Sequence, residues 1–272
     1  MKTLKITLST TIMAIIAIFV LMPFYLMIMM STYTSEQLYT GIKLLPGSYL
    51  LENLRTVFIG TKFDVYYRNS IVVAVCSTVL AVLSSSMAGF GFSKYNFRFK
   101  KQLFLFVILV MMIPGQLGMV AFLIEMKWFG WMNTHLPLII PAMANSFGVF
   151  WMTQTMSATL PTEVIESARI DGASGFHIYI RIAIPYMAAA IISLALLSFL
   201  GAWNSYMMPM LILSAQRNFT LPLGLISLND TYRQNIGAMI TALAVGTLPM
   251  VIIFAIGSKY FIRGLVAGAL KG

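Results

Sequence analysis

The residues best suited to binding chemistry lie in one polar segment between two long apolar stretches. This polar segment (residues 157–185) carries the motif Glu166-Ser167-Ala168-Arg169-Ile170-Asp171-Gly172-Ala173. Positions 173–181 then separate Gly172 from Ile182 and from the Ile184-Pro185 pair. Charged side chains alternate here with small residues that let another surface approach the backbone. The pattern predicts two short helices around a glycine turn, and it favours docking of a partner.

The sequence shows no cluster of residues that is typical of a catalytic site. Cys76 is the single cysteine, so it forms no intrachain disulfide and no thiolate metal site. His135 and His177 are far apart and have no Asp or Glu at metal-ligand spacing. An intramembrane enzyme would need a nucleophile, an acid–base pair or a metal cluster near a membrane face, and none is visible.

The composition places most of the chain in a lipid bilayer. It is 59% hydrophobic and 10% charged, whereas a soluble domain averages about 25% charged residues. The net charge of +10 could suggest nucleic acid as a partner. The basic residues, however, fall at the ends of apolar runs, which is the distribution of membrane topology signals. Membrane lipid is therefore the expected surrounding, and nucleic acid is not an expected partner.

Hydropathy predicts an all-α membrane protein with six transmembrane helices. Each apolar run reaches the length of about 20 residues that a helix needs to cross the hydrocarbon core. The predicted spans are residues 8–30, 71–92, 103–124, 136–156, 188–213 and 236–262. The first run could instead be a signal peptide, but it is longer than the usual apolar region and no Ala-x-Ala site follows it. We therefore expect a retained anchor.

Basic residues also predict the orientation of the spans. Lys94, Arg98, Lys100 and Lys101 crowd the link between spans two and three, and such clusters remain on the cytoplasmic side. Both termini and the polar segment are then cytoplasmic. The predicted parts are an anchor at 1–30, an extracytoplasmic loop at 31–66, a core at 67–263 and a cytoplasmic tail at 264–272.

The extracytoplasmic loop contains an amphipathic pattern at residues 50–58. Its apolar side chains recur at helical spacing and are separated by polar ones. The pattern predicts a helix at the outer surface. This helix either packs on the ends of the spans or contacts a partner, and the sequence leaves both open.

The spans lack ionisable side chains near their predicted midplanes. Such groups usually mark proton or ion pathways in membrane proteins. A proton-coupled carrier is therefore disfavoured, whereas a sodium-coupled carrier that uses carbonyls and hydroxyls is weakened but not excluded. The chain also lacks a G-x-x-x-x-G-K-[ST] phosphate loop. Energy for uphill transport would have to come from another chain.

The polar segment has clear helix signals. Pro161 suits the first turn of a helix, and Glu163 and Glu166 follow near the positive end of the helix dipole. Asp171-Gly172 predicts a turn, because glycine tolerates positive φ. Apolar surface is expected from Val164, Ile165, Ala168 and Ile170 in the first helix and from Phe176, Ile178, Tyr179 and Ile182 in the second. The alternative to docking is a helix that lies at the lipid headgroups.

The motif Glu166-Ser167-Ala168-x-x-Asp171-Gly172-Ala173 and the later Ile182-x-Ile184-Pro185 resemble the EAA motif of bacterial ABC importer permeases. Ser167 and Ile184 depart from the usual Ala and Leu, and both are conservative in size. In that family the segment forms coupling helices that fit a cleft in the ATP-binding subunit. The residues that the resemblance assigns to ATPase coupling are Glu166, Ala168, Asp171, Gly172, Ala173, Ile182 and Pro185.

Four further stretches resemble carbohydrate permeases of the maltose type. They are Asn69-Ser70, Trp203-Asn204, residues 220–225 and the tail at 264–272. The resemblance implies a type I importer fold in the bacterial cytoplasmic membrane. It also implies three partners, namely a second permease chain, an ATP-binding cassette ATPase dimer and an extracytoplasmic sugar-binding protein. No cofactor is then expected on this chain, since ATP and Mg would be bound by the ATPase. The alternatives are a stand-alone secondary transporter and an ABC permease for a non-sugar solute.

Polar and aromatic residues inside the spans are the candidate substrate pathway. Trp203, Asn204 and Tyr206 interrupt the apolar run of span five, and irregular polar backbone at membrane depth is tolerated where it lines a cavity. Asn145 and Gln154 in span four are further candidates. The alternative for each residue is hydrogen bonding between helices. A patch of small residues at 84–91 predicts close helix packing.

Overall fold

The computed structural model describes the backbone of residues 2–231 and 235–269, and the side chains of residues 6–227 and 235–259. The secondary structure of these described residues is helical, and it contains no strand. Within the described residues, fifteen α-helices are connected by turns, loops, 3₁₀ segments and one π-helical turn. They are α1 (Lys2–Met30), α2 (Ser35–Tyr39), α3 (Leu50–Ile59), α4 (Phe63–Lys94), α5 (Lys100–Met112), α6 (Met119–Trp128), α7 (Leu136–Ile139), α8 (Ser146–Thr159), α9 (Thr162–Ile170), α10 (Gly175–Ile178), α11 (Ile184–Tyr186), α12 (Ala188–Trp203), α13 (Met207–Ile212), α14 (Leu221–Thr231) and α15 (Ile236–Ala269).

Four stretches of the described chain are long and apolar enough to cross a membrane. They are Ile6–Met30, Phe63–Lys94, Leu136–Thr159 and Ile236–Lys259. Two bent helix pairs raise the number to six if each pair forms one span. The all-α membrane architecture is therefore confirmed, and the six-span count remains a prediction that depends on the bent pairs.

The predicted third span is not one straight helix. The helices Lys100–Met112 and Gly115–Trp128 meet at an angle of 89°. The reason lies at Pro114, which has no N–H to continue the helical hydrogen bonds. Ile113 before it adopts an extended conformation with ψ of 121°, as expected for a residue that precedes proline. Hydropathy averaged over a membrane-length window concealed the break, although Pro114, Gly115 and Gln116 are less apolar than their neighbours.

The fourth and fifth spans are also interrupted. The fourth passes from α7 through a 3₁₀ segment (Ile140–Ala144) to α8. The fifth ends as a regular helix at Trp203 and resumes at Met207, which confirms the predicted break. At the C-terminal end, α15 continues through Ala269, so the boundary drawn at residue 264 is not a break in the helix. Residues 270–272 of the predicted tail lie outside the described residues.

The chain divides into two compact units. The first comprises Met1–Tyr67 and Leu223–Pro249. In this unit the buried Asn53 of α3 donates hydrogen bonds to the carbonyl oxygens of Ser31 (2.8 Å) and Tyr33 (2.9 Å). The helix predicted at residues 50–58 is thus present as α3, and it packs on its own unit. Side chains along α1 from residue 6 to residue 25 are exposed, which suits contact with lipid or another chain.

The second unit comprises Arg68–Pro222 and Met250–Gly272. Its α4 and α8 approach closely, because a Cβ at Gly89 would lie 2.6 Å from Cβ of Met152. α8 also packs against α5 and α12. The close packing predicted for the small-residue patch is confirmed at Gly89, whereas Gly91 faces open space.

Replacing Gly89 by alanine tests this contact. We expect Gly89→Ala to destabilise the chain by about 1–3 kcal/mol, because overpacking forces the two helix backbones apart. The measurement is the thermal unfolding midpoint of the purified protein in detergent. Gly91→Ala is the matched control, and its midpoint should stay unchanged or rise, since alanine favours helices over glycine. Equal midpoints for the two variants would contradict close packing at Gly89.

Candidate functional site

The polar segment folds into two short helices joined by a tight turn, as the sequence predicts. Pro161 directly precedes α9 with φ of −63°, and Glu163 lies in the first helical turn. After the turn, Ser174 caps α10 by accepting a hydrogen bond from the His177 N–H. A π-helical turn (Tyr179–Ala183) then leads into α11. Pro185 lies in the first turn of α11 and is exposed.

The turn between α9 and α10 requires glycine. Gly172 has φ of +78°, a left-handed conformation that costs other residues about 1–2 kcal/mol. The Gly172 N–H donates to the Arg169 carbonyl and the Ala173 N–H donates to the Ala168 carbonyl, each at 3.0 Å. These two bonds with a left-handed residue between them form a Schellman motif. The sequence prediction of a glycine turn is therefore confirmed.

One face of the polar segment is buried in its unit. Ile165 and Ile178 are fully enclosed in a hydrophobic core built by α4, α8 and the polar segment. Ala168, Ala173 and Ile182 are partly buried against the same core. Small residues at 168 and 173 thus allow the turn to lie close to the helices beneath it. Burial of apolar area fixes this face in place.

The opposite face is exposed. The sequence predicts apolar surface at Ile170 and Phe176, and their side chains are 86% and 67% exposed. Glu166, Asp171 and Gly172 are also exposed. We call these five residues the docking face. Large apolar side chains at this exposure, beside charged groups, are typical of a protein interaction surface.

Contacts from the end of α4 hold the polar segment. The Lys94 ammonium donates to the carbonyl oxygen of Leu160, the residue after α8. The Arg169 guanidinium lies 5.0 Å from the centre of the Tyr95 ring, within cation–π range. A Cβ at Gly175 would collide with the Tyr95 hydroxyl, so α10 also packs closely here.

A second candidate site is a cavity of about 420 Å³ inside the second unit. Volumes of roughly 300–1,000 Å³ are typical of small-molecule sites. Five segments surround it, namely α4, α6, the broken fourth span, the broken fifth span and the loop that precedes α14. Its lining residues are Val73, Ser77, Ala81, Phe122, Pro137, Leu138, Pro141, Ala142, Asn145, Ser198, Gly201, Ala202, Ser205, Met208, Pro209 and Thr220.

Two hydroxyls at this cavity are buried and have no hydrogen-bond partner among the described residues. They belong to Ser198 and Thr220, and Thr220 is 4% exposed. A buried polar atom without a partner costs about 1–3 kcal/mol, so these hydroxyls are suited to bind a polar solute. Ser77 differs, because its hydroxyl already donates to the Leu138 carbonyl at 3.0 Å.

The structure brings only one predicted pathway residue to the cavity lining. Asn145 lines it, and its side-chain oxygen also accepts from the Gly148 N–H at 2.9 Å, which caps α8. Asn204 is exposed and donates to the Leu200 carbonyl of its own helix. Trp203 is buried and stacks on Phe199, with ring centres 5.6 Å apart. Gln154 is exposed, and Tyr206 is partly buried outside the lining.

Sequence reasoning missed Ser198, Ser205 and Thr220 as cavity residues. Serine and threonine in membrane helices often bond to their own backbone, as Ser193 does with the Ala189 carbonyl at 2.8 Å. Residue type alone therefore gives no signal for an unpartnered hydroxyl. The side chains that the structure describes contain no group of three or more His, Cys, Asp or Glu that could hold a metal ion.

Two motifs quoted for the family resemblance meet beside the cavity. The Asn69 amide donates to the carbonyl oxygens of Arg217 (2.9 Å) and Phe219 (3.0 Å). The Leu221 N–H donates to the Ser70 hydroxyl at 2.7 Å. These bonds fix the start of α4 against the loop before α14, and so they position Thr220.

Comparison with known proteins gives a consistent result. Residues 78–266 match the family described as binding-protein-dependent transport system inner membrane component. The arabinooligosaccharides transport system permease protein of Halalkalibacterium halodurans is 31% identical over 98% of this chain and 96% of the relative. The trehalose/maltose transport system permease protein of Thermococcus litoralis is 31% identical over 100% of this chain and 98% of the relative.

The fold also matches a solved transporter. A chain in the crystal structure of a bacterial ABC transporter involved in import of the acidic polysaccharide alginate superposes with a TM-score of 0.81 at 20% identity. The match covers 95% of this chain and 97% of the other. The fold is thus shared with a chain of an ABC importer. From the family match and the two relatives, this chain belongs to the binding-protein-dependent transport system inner membrane components, which are transport components rather than enzymes, and it is a multi-pass protein of the bacterial cytoplasmic membrane.

Proposed function

We propose that this chain is one transmembrane subunit of an ATP-driven sugar importer that works with an extracytoplasmic binding protein. The single observation that carries the proposal is the docking face on α9 and α10. The side chain of Ile170 on this face is 86% exposed. It is followed by the Schellman turn, in which Gly172 is also at the surface. The names of relatives that transport arabinooligosaccharides or trehalose and maltose support a sugar as the solute.

Three partners follow from this proposal. An ATP-binding cassette ATPase dimer, which binds ATP and Mg, receives the docking face on the cytoplasmic side. A second permease chain completes the pathway, and a sugar-binding protein delivers the solute outside. An alginate importer has been solved in complex with a pentasaccharide-bound periplasmic protein, which supports the third partner.

The mechanism that we propose is alternating access driven from outside this chain. ATP closes the ATPase dimer and draws the docking faces together. The spans change from inward-open to outward-open, and the binding protein releases sugar into the cavity. Hydrolysis resets the cycle. In this arrangement six spans place both termini in the cytoplasm, and residues 31–66 lie outside.

The roles of the coupling residues follow from their positions in the fold. Glu166 lies four residues before Ile170, so both share one face of α9, and they would contact the ATPase with Asp171 and Gly172. Ala168 and Ala173 hold the turn against the core beneath it. Ile182 and Pro185 lead the chain back to the span, and their role is to orient α10.

Ile170→Glu tests the docking face. The tagged chain is purified from its native host, and the amount of ATPase recovered with it is measured. We expect this amount to fall, because loss of an interface side chain worth ~2 kcal/mol weakens the affinity about 30-fold. Because Ile170 is exposed, the variant should fold normally. Ile170→Leu keeps the apolar surface and is the matched control. Full recovery of the ATPase with the glutamate variant would contradict the assignment.

The cavity is the proposed sugar pathway. Asn145, Ser198 and Thr220 offer hydrogen-bonding groups to it, and Ser205 lies beside Asn204 and Tyr206 in the break of span five. The proposal adds the hydroxyls to the residues predicted from sequence. Trp203, Asn204, Tyr206 and Gln154 remain predicted pathway residues that the cavity lining does not include.

Thr220→Val tests the pathway, because valine keeps the shape of threonine and removes its hydroxyl. The sugar that the complete transporter takes up is first identified from a panel of neutral disaccharides and arabinooligosaccharides. We expect the variant to take up this sugar about 3- to 10-fold more slowly, which is the range for one lost hydrogen bond. Thermal stability should stay equal or rise, since an unpartnered buried hydroxyl is removed. Thr78→Val is the matched control, as the Thr78 hydroxyl is also unpartnered but lines a different groove. Equal uptake in both variants would refute the pathway.

A stand-alone secondary transporter is the competing function. It would move solute when the purified chain alone is placed in lipid vesicles under an ion gradient. An importer subunit would transport only with the ATPase, ATP and the binding protein. Transport by this chain alone would overturn the proposal.

A further inference from the structure

A buried hydrogen bond joins the polar segment to α4. The hydroxyls of Ser86 and Tyr179 are 2.7 Å apart, and the two residues are 2% and 6% exposed. The Ser86 hydroxyl also donates to the Leu83 carbonyl at 3.1 Å, which makes Tyr179 the donor to Ser86. This contact lies between the middle of a long helix and the π-helical turn that follows α10.

Apolar rings enclose this pair of hydroxyls. The Phe90 ring packs against those of Tyr179 and Tyr95, with centres 5.6 Å apart in each case. Both Phe90 and Tyr179 belong to the core that also buries Ile178. A hydroxyl displaced within such surroundings loses its partner without gaining water, which is costly. The contact therefore favours one position of the π-helical turn relative to α4.

The part of α4 that precedes Ser86 forms a wall of the cavity. Val73, Ser77 and Ala81 line the cavity from α4, and α4 is continuous from Phe63 to Lys94. Ser77 and Ser86 are separated by about 14 Å along the axis, at 1.5 Å per residue. A continuous helix transmits a displacement at one end to the other.

We infer that Ser86 and Tyr179 are positioning residues that transmit movement of the docking face through α4 to the cavity. The inference rests on the proposed function, because movement of the docking face requires the ATPase. Packing between Gly89 and Met152 holds α4 against α8. The polar segment contacts Lys94 and Tyr95 at the end of α4, and the Ser86–Tyr179 bond is its buried hydroxyl contact closer to the cavity. Loss of this bond should uncouple the cavity wall from nucleotide binding while the ATPase stays bound.

Cys76 provides a reporter for the test. It is the single cysteine of the sequence, it is exposed, and it lies next to Ser77 on α4. A methanethiosulfonate spin label on Cys76 is measured in the full complex with cysteine-free partner chains. Spectra are compared without nucleotide and after trapping with ATP and vanadate. In the unmodified chain we expect a nucleotide-dependent change.

Tyr179→Phe and Ser86→Ala each remove the bond. In both we expect the nucleotide-dependent change at Cys76 to fall about fivefold, the ratio that corresponds to ~1 kcal/mol of lost coupling. ATP hydrolysis by the complex should persist. Matched controls are Tyr186→Phe, whose side chain is 54% exposed, and Ser84→Ala, whose hydroxyl bonds only within α4, to the Ala81 carbonyl. Both controls should respond like the unmodified chain.

The double variant separates transmission from stability. Ser86→Ala alone leaves the buried Tyr179 hydroxyl without its partner, and the double variant removes that hydroxyl too, so its unfolding midpoint should recover from the value of Ser86→Ala toward that of the unmodified chain. If the Cys76 response stays lost while the midpoint recovers, the inference holds. If the response recovers with the midpoint, or if the single variants respond in full, the bond is only structural and the inference is overturned. No nucleotide response in the unmodified chain would overturn the proposed function as well.

Discussion

Every feature of this chain depends on the need to satisfy backbone hydrogen bonds inside a bilayer. Hydrocarbon offers no partner for a free N–H or carbonyl, so the spans are helical and irregular backbone requires protein around it. α4 meets this need with 32 unbroken helical residues. The fourth and fifth spans break instead, and Asn145 replaces a lost backbone bond with its side chain. The cavity opens where these breaks occur, lined by Asn145, Ser205 and Pro209.

The polar segment also satisfies its backbone within the chain. The two bonds that Gly172 and Ala173 donate close the end of α9, where carbonyl oxygens would otherwise depend on water. The turn is therefore rigid without help from solvent. One face can be buried by Ile165 and Ile178 while Ile170 stays exposed on the other. A rigid, two-sided element of this kind can receive force from a partner and pass it to the core beneath.

Hydropathy and turn chemistry predicted the helices and the glycine turn, because both depend on local sequence. The 89° bend between α5 and α6 was missed. Pro114, Gly115 and Gln116 lower the hydropathy locally, but the apolar runs on both sides are long enough that the whole stretch was assigned to one span. Packing decides whether a proline kinks or breaks a helix. The cavity hydroxyls were missed for a different reason. Whether Thr220 finds a partner depends on the bonds that Asn69 and Ser70 make across the unit, which no local pattern encodes.

The chemistry of the cavity bears on which sugar the proposed pathway would accept. Among the described residues that line it, none carries a charged side chain, and burial of a charged solute without a counter-ion is strongly unfavourable. The alginate importer that shares this fold handles an acidic polysaccharide, so the fold itself does not fix the charge of the solute. In this chain Ser198 and Thr220 offer neutral hydroxyls beside Phe122 and Met208. Hydroxyls next to apolar and aromatic surface match the two faces of an uncharged sugar ring, and so a neutral saccharide fits this subunit better than an acidic one.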